Sequence, residues 1–308
     1  MAASSPSAPV APAKRSSRIK AWVRASRPHS QANIALPIAL GVAAALGTGA
    51  PLESWMLWAC AAFSVIDQLF IVFANDYADR DTDSAERTWV SGGSGVIVDG
   101  SLSPQHVRRA ALAHLVGLLI LALVLAGRRP WLIVACVSAI LLMQLYSYKP
   151  VRLSHRGGGE WLQGAGIGLV LPWVGYYLVT GDPHSPLTIS LPMVLFGAAG
   201  NISTAVPDVE NDRRVGKRTL PVAIGDVRAR VVGVALLLGA MVLAAYLARG
   251  QLTPFQQAAM ASTSVLWLLH LRFRKPFAYA IIQGVSMTLW LMIYAWGLSG
   301  RCCSATTS

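Results

Sequence analysis

The chain has 308 residues, of which 54% are hydrophobic and only 13% charged, against about 25% charged in a soluble domain. A mean hydropathy of +0.51, with apolar blocks recurring at lengths that can cross a bilayer, excludes an ordinary soluble enzyme. A formal net charge of +12 would suggest nucleic acid in a soluble chain, but here the basic residues follow the alternation of a polytopic membrane protein, so no nucleic-acid partner is expected.

Residues 1–19 are rich in Ala, Ser and Pro, hold no acid and cannot bury a core, which predicts a disordered tail. Periodicity and length then predict helices over 30–49, 54–76, 107–126, 130–149, 159–179, 187–207, 226–248, 254–272 and 277–298. Together they make an all-α fold of nine transmembrane helices, a single domain over 20–298, and a short C-terminal tail over 299–308. Of the 26 basic residues, 22 fall at the N-terminus and on the even-numbered connections; the rest are Arg128, Arg129, Arg249 and Arg301. The positive-inside rule therefore places the N-terminus and the even connections in the cytoplasm.

Arg27 stands at the mouth of the first helix, where it can meet an anionic ligand. In the second helix Asp67 and Gln68 are polar groups inside an apolar span, which are expensive and mark site candidates. Gln68 returns to nearly the same face as Asp79, deeper in the membrane, and is expected to line a cavity. The helix runs out into Asn75-Asp76-Tyr77-Ala78-Asp79-Arg80-Asp81-Thr82-Asp83. Asn75, Asp79 and Asp83 are spaced i, i+4, i+8 and form one row on a helix, with Asp76 beside them. Oxygen donors crowded on one face repel one another unless they share a cation, and hard donors of this kind suit Mg²⁺ completed by water and phosphate oxygens.

The fourth predicted helix ends in Tyr146-Ser147-Tyr148-Lys149-Pro150-Val151-Arg152, where Tyr146 and Lys149 are candidates to bond a diphosphate. Gly164, Gly166 and Gly168 in the fifth read as sites of close helix packing. The sixth carries Asn201 and emerges into Pro207-Asp208-Val209-Glu210-Asn211-Asp212, followed by Arg213, Arg214 and Lys217. Asp208 and Asp212 repeat the i, i+4 spacing, and Asn201 lies on roughly the same face. Ten of the 14 acids fall in or beside the two long cytoplasmic connections, one after the second helix and one after the sixth. Two acidic rows at one depth, each followed by Arg or Lys, make a place for a diphosphate held between metal ions and basic side chains.

A diphosphate site opening into a membrane implies a substrate with a phosphorylated head and an apolar tail, such as a polyprenyl diphosphate. Ionisation of its C1–O bond would leave an allylic cation that aromatic faces can stabilise, and Trp161, Trp173, Tyr176, Tyr177, Trp290 and Tyr294 are candidates. A transporter would more commonly place its site near the midplane on broken helices, whereas these acids gather at one interface.

NDYADRDTD resembles the NDxxDxxxD motif of the UbiA superfamily of intramembrane prenyltransferases, and DVENDRRVGKRTLPV resembles its second acidic motif. SRPHSQANIALPIALG and LYSYKP are similar to the family's opening helix and its Tyr-x-x-Lys segment, so the resemblance spans about 20–298. It implies nine helices around a central cavity under a cytoplasmic cap. It also implies an integral protein of the cell (inner) membrane with its active site facing the cytoplasm. Asn75, Asp79, Asp83, Asp208 and Asp212 would be Mg²⁺–diphosphate ligands, with Tyr146 and Lys149 as diphosphate contacts. SGGSGVIVDGSLSP looks more like the dihydroxynaphthoate branch than the hydroxybenzoate branch, so a small aromatic quinone precursor is the implied acceptor. An intramembrane terpene cyclase using the same ionisation site is the alternative.

Overall fold

The computed structural model describes residues 15–83, 93–271 and 275–300, and among these all regular structure is helical. Each of the nine predicted segments contains a helix: α2 (Ala32–Leu46), α3 (Ser54–Asp79), α4 (Pro104–Leu125), α5 (Leu132–Ser147), the run α7 (Gly159–Ala165) to α8 (Leu171–Thr180), α9 (Leu187–Ala205), α12 (Asp226–Leu247), α13 (Pro254–His270) and α14 (Pro276–Ser299). Four short helices lie between or before them: α1 (Arg15–Ser26), α6 (Leu153–Arg156), α10 (Val209–Arg214) and α11 (Leu220–Ile224). Seven helical stretches among the described residues are long and apolar enough to cross a membrane, and Leu132–Ser147 is apolar but shorter.

The helix ends follow local chemistry. Ser103 accepts from the His106 N–H with Pro104 at the first helical position, and Thr253 forms a capping box with Gln256 ahead of Pro254. The predicted tail is corrected at its end, because Arg15–Ile19 form the first turns of α1, which buries Ala21 and Ala25. The remainder of that tail, Glu86 of the first acidic segment, and the C-terminal tail beyond Gly300 lie outside the described residues.

Two large apolar cores form, beside a smaller cluster of Ile202, Val206, Ala229 and Tyr279. One centres on Phe63, Phe73, Leu118, Leu132 and Tyr177, the other on Leu40, Met193, Leu237, Trp267, Trp290 and Tyr294. Helix α8 joins them, sending Tyr177 to the first and Tyr176 to the second. Close backbone approach holds the seam: a Cβ on Gly41 would stand 1.9 Å from the Pro172 carbonyl oxygen, and one on Gly168 2.3 Å from the Val194 nitrogen. Gly164 and Gly168 thus pack against α9 as expected, while Gly166 instead faces a cavity between the two cores. Outward faces carry exposed Leu123, Val124 and Val242, as a lipid-facing surface requires.

Candidate active site

A cavity of about 990 Å³ opens at the end of the bundle where both acidic segments emerge. Its deep wall is aliphatic, built from Ile34, Ile71, Val72, Leu142, Met143, Ile167, Val170 and Leu171. Its mouth is polar. Asn75, Asp79 and Asp83 line it from one side, Asn201, Asp208 and Asp212 from the other, with Arg27, Tyr146 and Lys217 between, and Gln68 lines it lower on α3.

The two acidic segments reach the mouth differently. Helix α3 carries Asn75 and Asp79 without interruption, but it ends at Asp79, so Asp83 is not on the helix as its spacing suggested. A turn in which the Thr82 and Asp83 N–H groups both donate to the Asp79 carbonyl, at 2.8 Å each, brings Asp83 back to the cavity. Asp81 points away, 75% exposed and paired with Arg80 at 3.3 Å. On the other side α9 stops at Ala205, a 3₁₀ turn containing Pro207 and Asp208 follows, and Asp212 sits on the six-residue α10.

The acids are balanced by cations. Asp79 Oδ1 accepts from Arg152 at 2.9 Å and lies 3.1 Å from His155 Nε2. Lys217 Nζ stands 3.3 Å from Asp212 Oδ1, and both are nearly buried. Burial alone would lower the Lys217 ammonium, but Asp79, Asp212 and Asp83 together carry it above the usual lysine range. Asn201 donates to Tyr146 Oη at 3.1 Å and to Gln163 Oε1 at 2.8 Å, which fixes the phenol at the cavity wall. The segment after α5 ties the halves together. Arg152 and His155 grip Asp79, the His155 carbonyl accepts from Arg218 N–H at 2.8 Å, and Glu160 accepts from Leu220 N–H at 2.9 Å.

Three expectations are corrected. Lys149 is exposed beyond the end of α5 and does not line the cavity; Arg152, three residues on and also not among the lining residues, pairs with Asp79 instead. Asp76 also lies off the cavity. One helical position from Asn75, it is buried in an ion pair with Arg27 and accepts from the Ser94 N–H and hydroxyl, so it fastens the first connection to the mouth. None of the six candidate aromatics lines the cavity: Trp161 is exposed, Trp173 stacks on Tyr177, and Trp290 packs between Phe196 and Tyr294. Tyr146 is the sole Phe, Tyr or Trp among the described lining residues.

Sequence reasoning missed the roles of Arg152, His155 and Glu160. A signal exists in the backbone, since Arg27 and Arg152 are the non-glycine residues with positive φ among those described, at 43° and 47°. Such left-handed positions persist where surrounding structure demands them, and both arginines grip an acid of the first motif.

The donor set fits a hard divalent cation shared with an anionic ligand. All five acidic-motif donors are oxygens facing one cavity, yet no group of three His, Cys, Asp or Glu among the described residues is close enough to hold an ion by itself. Phosphate oxygens would complete such a shell.

Comparison with known proteins agrees with this arrangement. A family model described as the UbiA prenyltransferase family matches residues 34–292. The chain is 27% identical over 222 residues to a 1,4-dihydroxy-2-naphthoate octaprenyltransferase of Bacillus subtilis, covering 70% of this chain and 69% of that one. It is 33% identical over 181 residues to a digeranylgeranylglyceryl phosphate synthase of Natronomonas pharaonis, covering 56% of this chain and 59% of that one. A solved UbiA homologue from Archaeoglobus fulgidus bound to GPP and Mg²⁺ has a TM-score of 0.67 at 19% identity, covering 91% of this chain and 99% of that chain.

Proposed function

Because the chain belongs to the UbiA prenyltransferase family, we propose that it transfers a polyprenyl group from its diphosphate to a small aromatic acceptor of the dihydroxynaphthoate type. The observation that carries this reading is the meeting of two acidic segments and buried cations at the mouth of an aliphatic cavity. An apolar tail belongs against that wall, and a diphosphate belongs at that mouth. The Bacillus relative supports the naphthoate acceptor by its name, and the Archaeoglobus structure supports Mg²⁺ and a prenyl diphosphate by its ligands.

Asn75, Asp79, Asp83, Asp208 and Asp212 would hold Mg²⁺ together with the diphosphate. Bound there, the ion supplies charge stabilisation for a leaving pyrophosphate. Lys217 places an ammonium between both acidic segments, where charge on diphosphate oxygens develops as C1–O breaks. Tyr146, its phenol oxygen already accepting from Asn201, is oriented to donate its own proton to a phosphate oxygen. The aliphatic wall excludes water from the allylic cation until the acceptor carbon bonds to C1, after which the ring regains aromaticity by losing the proton, or the carboxyl group as CO2, from that carbon. The chain is an integral membrane protein. We place it in the cell membrane with nine spans and with the N-terminus and site on the cytoplasmic side, an orientation that the bias of its basic residues supports.

Cyclisation of the prenyl chain alone is the weaker reading. A cation migrating along its own alkenes needs aromatic faces, and the described wall offers Tyr146 alone. Purified protein given Mg²⁺, a polyprenyl diphosphate and dihydroxynaphthoate should form a prenylated naphthol detectable by mass spectrometry. Pyrophosphate release with no acceptor-derived product, or a terpene from the diphosphate alone, rejects the proposal.

A further inference from the structure

Deep in the cavity, away from the acidic mouth, lies a carboxylate that the proposed ionisation does not use. Asp67 lines the cavity from α3, is 2% exposed, and receives no hydrogen bond or ion pair among the described residues. It precedes Asn75 by eight residues, which is about 12 Å along a helix at 1.5 Å per residue. The adjacent Gln68 spends its amide on the Ser26 and Arg27 carbonyls and on Ser30 Oγ, at 2.7–3.1 Å. Its Oε1, like Asp67 Oδ1, is buried without a partner. Two neighbouring residues thus hold buried oxygens, Asp67 Oδ1 and Gln68 Oε1, with no partner among the described residues. Every basic side chain lining the cavity, from Lys20 and Arg24 to Arg27 and Lys217, belongs to α1, the turn after it or the second cytoplasmic connection, so none belongs to the deep aliphatic wall.

The geometry points to Asp67 and Gln68 as the subsite that recognises the acceptor, by accepting hydrogen bonds from its hydroxyl groups. Resting on the prenyl-transfer reading, it adds the direction in which the acceptor enters: hydroxyl toward Asp67, with a ring carbon turned back to C1 at the mouth. A carboxylate on the acceptor would find no cation beside Asp67 and is directed to the mouth, which Arg24 and Arg27 line. An unsatisfied buried carboxylate is costly in a membrane span, and a site built to meet a ligand's O–H discriminates strongly against a ligand that lacks it.

The test compares an aromatic diol acceptor with its methyl ether in nanodisc-embedded protein, using wild type, Asp67→Asn and Asp67→Leu. Wild type should prefer the diol by at least roughly tenfold in kcat/KM, and Asp67→Leu should lose most of that preference. The KM for prenyl diphosphate should not move in either variant. Asp67→Leu should also raise Tm, because it removes a buried carboxyl left without a partner; a residue kept for structure would lower it. Acceptor binding measured by calorimetry, with a non-ionising thiolodiphosphate in place, should weaken in parallel. Equal discrimination by wild type and Asp67→Leu overturns the subsite while leaving prenyl transfer standing. Absence of any prenylated product from wild type overturns both.

Discussion

The two acidic segments converge on one mouth by opposite routes. The first stands on an unbroken 26-residue helix, and the cations that hold its Asp79 come from far along the chain, Arg152 and His155 being 73 and 76 residues away. The second stands on a broken helix, and its Asp212 is held by Lys217 from its own connection. The first is therefore a rigid rod that needs an external clamp, while the second is a self-contained loop. Residues 152–160 couple the two, gripping Asp79 on one side and the 218–220 backbone on the other.

If both segments serve one diphosphate, the largest effects should come from their acids. Asp79→Asn and Asp212→Asn each remove charge at nearly constant volume, and each should lower turnover at least about a hundredfold, with insertion and monodispersity intact. The double variant should lose far less than the product of the single losses, since both act on one ligand. Multiplying losses in steady-state kinetics would break the comparison, making the segments two independent sites. Lys217→Ala should come next, raising the KM for prenyl diphosphate and cutting kcat by roughly ten- to a hundredfold. Arg152→Ala should cost less in KM, because Arg152 acts through Asp79, and Arg152→Lys should recover little of the loss at a clamp that also donates to Thr82 Oγ1 at 3.1 Å.

What the sequence disclosed tracks the same difference. Helices and acidic rows are local patterns, so the nine helical segments and the convergence of Asn75, Asp79, Asn201, Asp208 and Asp212 were legible from spacing, whereas Asp83 reaches the cavity by a turn that the helical spacing did not foresee. Lys217 was legible because it sits five residues from its acid. Arg152 was not, because helical continuation past Tyr146 favours Lys149, whereas α5 ends at Ser147 and a left-handed turn at Arg152 redirects the chain. The aromatics failed for a related reason. Composition says they are within spans, but only packing says that Trp173, Tyr176, Tyr177, Trp290 and Tyr294 join the two cores, and that Trp161 is exposed, rather than lining the cavity between them.

A smaller effect should sharpen the idea of the first segment as a clamped rod. Asp76 joins Arg27 to Ser94, holding the start of the chain and the first connection over the mouth. Asp76→Ala leaves the Arg27 guanidinium without its buried partner and should destabilise the protein by about 3 kcal/mol or more. Limited proteolysis should then cut within 93–103 sooner, with turnover down several-fold rather than by orders of magnitude. Unchanged proteolysis would mean the connection is held elsewhere.

The smallest expected effect is the most discriminating. Asp81 belongs to the same acidic run as Asp79, carries the same charge and lies two residues away, so any account based on local acidity treats the two alike. The structure does not: Asp81 is exposed against Arg80, outside the cavity, whereas Asp79 is buried within it. An exposed pair of this kind is worth at most about 1 kcal/mol. Asp81→Asn should therefore leave kcat and Tm within about twofold and a degree or two of wild type, as should Lys149→Ala, whose side chain is likewise exposed and off the cavity. A loss at Asp81 equal to that at Asp79 would mean that the diphosphate is held by the charge of the whole segment rather than by the side chains facing the cavity. The unbroken helix up to Asp79 would then have no bearing on which acids bind.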